Sequence, residues 1–265
     1  MFLLDQGADP NAKDGFGITP LHWALVEGLK ALVGGGSKPT DNYWYHPNMP
    51  ELAKALLTHG ADPNARILRD FPPYDNTIFG HTLGNNLPQI TLVGATPFLL
   101  AAASGETGTM SVLVEGRADP KLVTGDGTST LMVAAGVARE RENLSEEQQR
   151  QLLEAAKLAI QLGGDVNAVN REGRTALHGA VLLGDTAMIQ FLASKGANMN
   201  AKDMYGETPL TIALGDPEGL IYRQLPGDAY DYRFRQPREQ KKVAELLVKL
   251  GATPFTGKYR DRTGE

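Results

Sequence analysis

Cysteine is absent from the 265 residues, which excludes disulfides, thiolate metal sites and cysteine nucleophiles together. The compartment stays open, because oxidising and reducing environments both tolerate a cysteine-free chain. No apolar run approaches the roughly 18 residues that cross a bilayer. The opening segment, residues 1–10, lacks the basic stretch and apolar core of a secretory signal, so the chain reads as soluble and without a leader. Positive charge is not in excess: 26 Lys and Arg face 31 Asp and Glu, a net charge of −5, with no contiguous basic stripe. That balance argues against a nucleic-acid duplex as the main ligand. No phosphate loop, nucleophile elbow, paired-histidine zinc motif or dinucleotide fingerprint is present. Gly34-Gly35-Gly36-Ser37-Lys38 mimics a phosphate cradle in composition only, since no strand precedes it and the spacing differs. It reads as a hinge or tight loop.

What is present is a folding composition, 42% hydrophobic and 22% charged, arranged in recurring phrases. Gly-Ala-Asp-Pro-Asn-Ala stands at residues 7–12 and again, unchanged, at 60–65, with degraded copies at 118–120, 165–168, 196–201 and 251–254. A second phrase, Gly-x-Thr-Pro-Leu-His-x-Ala, stands at 17–24 and recurs at 94–98, 127–131, 173–180 and 206–210. Each has a mechanical reason. Thr caps a helix, Pro at the first helical position gives up no needed N–H, and Leu then enters the core. The Gly that opens the other phrase suits the left-handed end of a helix.

These phrases resemble the ankyrin repeat, and residues 170–202 match its length of about 33 residues without interruption. The resemblance covers nearly the whole chain. It implies a mainly all-α solenoid of helix-turn-helix units with β-turn fingertips, a single domain over residues 1–257 followed by a polar tail, 258–265. On this register the units run about 1–13 (partial), 14–66, 67–123, 124–169, 170–202 and 203–257. The first lacks its opening turn and first helix, which reads as an N-terminal truncation of a longer chain.

Four units exceed the family length. Extra residues fall at about 29–48, 67–90 and 216–237, and a fourth stretch lies in the unit 124–169. The second is expected to precede the repeat turn and extend its fingertip as a β-hairpin. In the fourth unit, Ser145-Glu146-Glu147-Gln148 forms a capping-box pattern that should open a long second helix through Leu152, Leu153, Ala156 and Ile160. Aromatic residues crowd these stretches: Tyr43, Trp44 and Tyr45, then Phe71, Tyr74 and Phe79, and finally Tyr222, Tyr230, Tyr232 and Phe234 among Arg233 and Arg235. Aromatics and Arg dominate binding hot spots, although they equally fill small satellite cores under long loops.

The histidines offer little chemistry. His22 and His178 take the His of the Thr-Pro-Leu-His phrase, where the family uses the ring to bond neighbouring turns. His59 suits the C-terminal end of its helix. His46 and His81 belong to different added stretches with no defined carboxylate partner, so no metal site and no cofactor is expected. The nearest approach to an acid–base set is Asp70, Asp75 and His81, which would face one another across a hairpin.

The resemblance implies binding of another protein through the fingertips and the exposed side of the first helices. Carried onto this chain, those positions are Gly15, Phe16, Ile18, Val26 and Glu27 in the second unit, Arg171, Glu172, Arg174, Leu182 and Leu183 in the fifth, and Met204, Tyr205 and Glu207 in the last. The leading expectation is a non-catalytic interaction or scaffold domain. Its contacts are Phe16, Tyr43, Trp44, Tyr45, Arg171, Glu172, Arg174, Leu182, Leu183, Met204, Tyr205, Tyr230, Tyr232, Arg233, Phe234 and Arg235, and its partner is a protein rather than nucleic acid or membrane. The alternatives are a hydrolase site built around Asp70, Asp75 and His81, and a module packed permanently on an N-terminal part of its own chain.

Overall fold

The computed structural model describes residues 2–25, 28, 50–70, 90–137, 139, 144–204, 206–215 and 240–254. Among them the elements are helices, and no strand is formed. A short α1 (Phe2–Asp5) is followed by pairs of first and second helices: α2 (Pro20–Trp23) with α3 (Pro50–Thr58), α4 (Pro97–Ser104) with α5 (Thr107–Glu115), and α6 (Thr130–Ala134) with α7 (Glu146–Gln161). Two further pairs close the series, α8 (Ala176–Leu183) with α9 (Thr186–Ser194) and α10 (Pro209–Leu214) with α11 (Lys241–Lys249). Of the stretch expected to form a hairpin, residues 71–89 lie outside those described.

The phrases do what their chemistry predicts. Thr96 caps α4 by accepting the Leu99 N–H on its hydroxyl at 3.3 Å, with Pro97 at the first helical position. Thr208 caps α10 in the same way, accepting the Thr211 N–H at 3.2 Å ahead of Pro209. The capping box at the start of α7 forms as expected: the Gln148 N–H donates to the Ser145 hydroxyl at 3.2 Å and the Ser145 N–H to the Gln148 side chain at 2.9 Å. The helix then runs through Leu152, Ala155, Ala156 and Ala159, which are buried.

Second helices end on a left-handed residue, which is Gly60, Gly163, Gly196 or Gly251 in four units. In the third unit that position is Arg117, with φ +71°, where a side chain costs about 1 kcal/mol relative to glycine.

One continuous core runs from Ile18 to Ala252. First helices lie side by side, α4 against α6, α6 against α8 and α8 against α10, while the second helices form a parallel layer behind them. Because α4 and α6 carry almost no polar side chain, they are apolar all round and are buried all round, Pro97 to Ala103 and Thr130 to Ala134 alike. Small residues permit this close spacing. A Cβ on Gly179 would meet the Val137 nitrogen at 2.6 Å and the Ala135 oxygen at 2.9 Å, so α8 approaches α6 at backbone distance only because that Cβ is missing.

Units are also laced together by asparagine. The Asn11 amide donates to the Gly60 carbonyl at 2.9 Å and its oxygen accepts the Asp62 N–H at 2.7 Å. Asn64 repeats this on Arg117 and Asp119, and Asn167 repeats it on Gly196 and Asn198. Asn200 accepts the Thr253 N–H at 2.8 Å. Between the third and fourth units Lys121 replaces the asparagine, and the end of its side chain instead lies over Gly163.

Candidate partner-binding surface

Four of the five fingertips are tight turns closed by a short polar residue and a left-handed glycine. At the second unit the Asp14 carboxylate accepts the N–H groups of Phe16 and Ile18, both at 2.9 Å, and the Gly17 N–H returns to the Asp14 carbonyl at 3.0 Å with φ +82°. Thr124, Asn170 and Asp203 hold the same post in later units, each with its own glycine three residues on. These side chains are therefore occupied by the turn, and they are structural rather than reactive.

The third tip is built differently. Ile67 replaces the polar residue, yet its N–H reaches the Ala95 carbonyl at 3.1 Å and Gly94 reaches back to Ile67 at 2.8 Å. The bonds that elsewhere close a turn of a few residues here enclose residues 68–93. The added stretch thus lies inside the turn between Leu68 and Val93, and not ahead of the turn as the sequence register suggested. Asp70 clamps its root: one carboxylate oxygen accepts the Leu92 N–H at 2.5 Å, the other the Thr91 hydroxyl at 2.6 Å. The Thr91 N–H in turn donates to Asp126 on the next tip at 3.1 Å. A carboxylate engaged in this way anchors a loop; Asp75 and His81 lie outside the described residues.

Neighbouring tips are joined through the main chain. Leu68 donates to Phe16, Gly125 to Val93, Arg171 to Asp126 and Met204 to Glu172, over 2.6 to 2.7 Å. The row is consequently rigid from the second unit to the sixth. Along it the exposed large apolar side chains are Leu68 at 59%, Val169 at 57%, Met204 at 60% and Val123 at 37% of full exposure.

The expected contact residues divide into three groups. Phe16 is half-buried at its tip, Arg171 and Met204 project outward, and Glu172 is half-buried with its carboxylate 3.3 Å from Arg174. Arg174, Leu182 and Leu183 do not stand free on the surface. Arg174 is 5% exposed, held between Glu172 and Asp203, whose carboxylate lies 3.9 Å from its Nε. Leu183 fills the space over Gly136, just past the end of the preceding first helix, where an added Cβ would come within 2.3 Å of it, and Leu182 leans on the core. Ile18 is likewise buried. The third group, Tyr43, Trp44, Tyr45, Tyr205, Tyr230, Tyr232, Arg233, Phe234 and Arg235, lies outside the described residues, as do Val26, Glu27 and His46. Leu68, Val123 and Val169 were not anticipated. Leu68 is equivalent to Met204 only once the interrupted third turn is put in register.

Both phrase histidines are built into the frame. His22 Nδ1 lies 2.9 Å from the Thr19 hydroxyl and accepts the Thr19 N–H at 3.2 Å, while Nε2 faces the Ala95 carbonyl of the next unit at 3.4 Å. Burial lowers its pKa from 6.5 to about 4, against a smaller opposing pull from the Ala95 carbonyl. His178 makes the same pair with Thr175 and faces Glu207, and burial lowers its pKa too, with Asp203 opposing. His59 bonds the Ala55 carbonyl at 2.8 Å and sits 3.4 Å from Asp5. No group of three or more His, Asp or Glu able to hold a metal occurs among the described residues, and none of their helices is long and apolar enough to cross a membrane.

The described residues thus form a helical-repeat solenoid with a row of joined turns along one edge. A family profile described as ankyrin repeats in three copies matches residues 147–222, and one described as the ankyrin repeat matches residues 16–67. The chain is 31% identical over 142 residues to Protein PhlB of Serratia liquefaciens, covering 45% of this chain and 63% of PhlB. It is 38% identical over 71 residues to the ankyrin repeat and LEM domain-containing protein 1 homolog of Caenorhabditis elegans, covering 27% of this chain and 10% of that protein. The RelA-associated inhibitor of Mus musculus is 38% identical over 73 residues, 28% of this chain and 9% of its own length. The match therefore spans less than two thirds of each of these relatives. The chain belongs to the ankyrin-repeat family. Ankyrin repeats are generally protein–protein interaction modules.

Proposed function

We propose that this chain is a non-catalytic recognition module that binds a protein partner along its fingertip edge, with Phe16, Leu68, Arg171, Glu172 and Met204 as contacts. The observation that carries this reading is the pair Leu68 and Met204, more than half exposed at equivalent places on tips whose backbones are already fixed to their neighbours. Exposed apolar side chains on a rigid frame favour association, because their burial is favourable and little conformational freedom remains to be lost. The mechanism is surface complementarity with small change of shape. The name of the RelA-associated inhibitor, which records association with another protein, accords with this reading.

The test is capture from native extract by the intact chain and by a Leu68→Asp/Met204→Asp variant, checked for an unchanged thermal midpoint. A stoichiometric protein retained by the first and lost from the second supports the assignment. Equal capture by both would place recognition elsewhere on the molecule.

A further inference from the structure

Two guanidinium groups converge on the fourth fingertip from either side. Arg66, at the foot of the third tip, holds Nη1 3.4 Å from the Val123 carbonyl oxygen. Arg171, on the fifth tip, holds Nη2 3.2 Å from the Gly125 carbonyl oxygen, two residues along the same turn. Each uses one N–H of the five a guanidinium carries, so each is oriented while most of its donors still face solvent. Both side chains are exposed.

The acidic groups of the tips are not paired with them. Asp126 accepts the N–H groups of Thr91 and Thr128 together with the Thr124 hydroxyl, and Asp70 is occupied by its loop clamp. Among the described residues neither Arg66 nor Arg171 has a carboxylate within ion-pair distance. The residue preceding the turn, which is Arg66 in the third unit, is Val123 in the fourth, Val169 in the fifth and exposed Lys202 in the sixth. An apolar middle is thereby flanked by cations on a chain whose net charge is negative.

We infer that the partner segment is an acidic, partly apolar peptide, with a carboxylate seated between Arg66 and Arg171 and apolar side chains against Val123 and Val169. This rests on the reading of the tips as the partner surface and adds the chemistry of what they bind. A carboxylate there takes charge-assisted, forked hydrogen bonds from guanidinium groups whose orientation is already set. The exposed valines favour a peptide over a nucleic-acid strand, whose backbone offers charge without aliphatic side chains.

The experiment measures fluorescence anisotropy of two labelled nonapeptides on the full chain, one alternating leucine with glutamate and one alternating leucine with lysine, beside a labelled single-stranded DNA. The acidic peptide is expected to bind, to weaken about tenfold in Arg66→Gln/Arg171→Gln, and to weaken as salt rises from about 50 to about 300 mM. The lysine peptide is expected not to bind. Absence of acidic-peptide binding, equal binding of both peptides, tighter binding of the DNA, or an unaffected double variant would each overturn the inference. Both arginines are exposed, and an unchanged thermal midpoint of the variant excludes unfolding as the cause of a loss. The same variant in the capture assay separates the two readings: a partner still captured by it, yet lost from Leu68→Asp/Met204→Asp, keeps the tip surface and overturns its acidic complement.

Discussion

Arg117 sits in the left-handed backbone region at φ +71°, and its carbonyl oxygen accepts a hydrogen bond from the Asn64 side chain at 3.1 Å. The geometry that strains this residue is the geometry that joins the third unit to the second. Glycine ends the second helix in the second, fourth, fifth and sixth units and at Gly7, so the strain belongs to this side chain rather than to the turn. Arg117→Gly keeps the carbonyl and removes the strain. It is expected to stabilise the fold by about 1 kcal/mol, read as a higher urea midpoint at unchanged slope.

The asparagine lacing makes the opposite prediction. Asn167 uses its amide and its oxygen to hold Gly196 and Asn198, and Asn167→Ala leaves both main-chain groups to water. The site is exposed, so the loss is the modest net worth of two hydrogen bonds, about 1 to 2 kcal/mol in urea unfolding. Lys121→Asn, which places the same residue where the lacing is missing, tests whether the ladder extends across that junction. Stability should then rise by a smaller amount in the same assay.

Close approach of α8 to α6 depends on one missing methyl group. Gly179→Ala forces the Val137 nitrogen or the Ala135 carbonyl to move, since an added Cβ would lie within 3 Å of both. The expected cost is about 1 to 3 kcal/mol, as a fall in thermal midpoint. A cost near zero would mean that the two first helices are not held at this spacing.

Buried histidines make stability depend on pH in a defined direction. His22 has a folded pKa near 4 against an ordinary 6.5, so between those values the unfolded chain takes up a proton that the folded chain does not. This contribution is complete above about 6.5 and is lost as pH falls from there towards 4. His178 shifts in the same direction. Urea midpoints between neutral pH and about 4.5 should fall more steeply for the native chain than for His22→Gln/His178→Gln. Parallel slopes would contradict the burial of neutral rings.

Much of this frame is legible in the sequence because short-range chemistry dictates it. Thr96 and Thr208 cap where the phrase places them, Ser145 and Gln148 form their box, and His22 and His178 bond their own turns. What escapes is decided by neighbours distant in the chain. Arg174 occupies a position that varies from unit to unit and so reads as a free contact, but Asp203 on the next unit draws it inward. Leu183 reads as an exposed leucine until Gly136 is seen to leave room for it. The third turn hides because Ile67 stands where Asp14 and Asn170 mark the others, and its register reappears only in the bonds to Ala95 and Gly94. Arg66 and Arg171 are remote in sequence, which is why no basic stripe announces their meeting at the fourth tip.

The most direct test of the fingertip assignment is hydroxyl-radical footprinting of the chain alone and in complex with a captured partner, read by mass spectrometry at Phe16, Leu68 and Met204, with Phe2 and Val248 as exposed references. Protection of the three tip residues with unchanged oxidation at the references is the predicted result. Undiminished oxidation at Leu68 and Met204, with protection at Phe2 or Val248, would contradict it and move recognition to the end or the back of the stack.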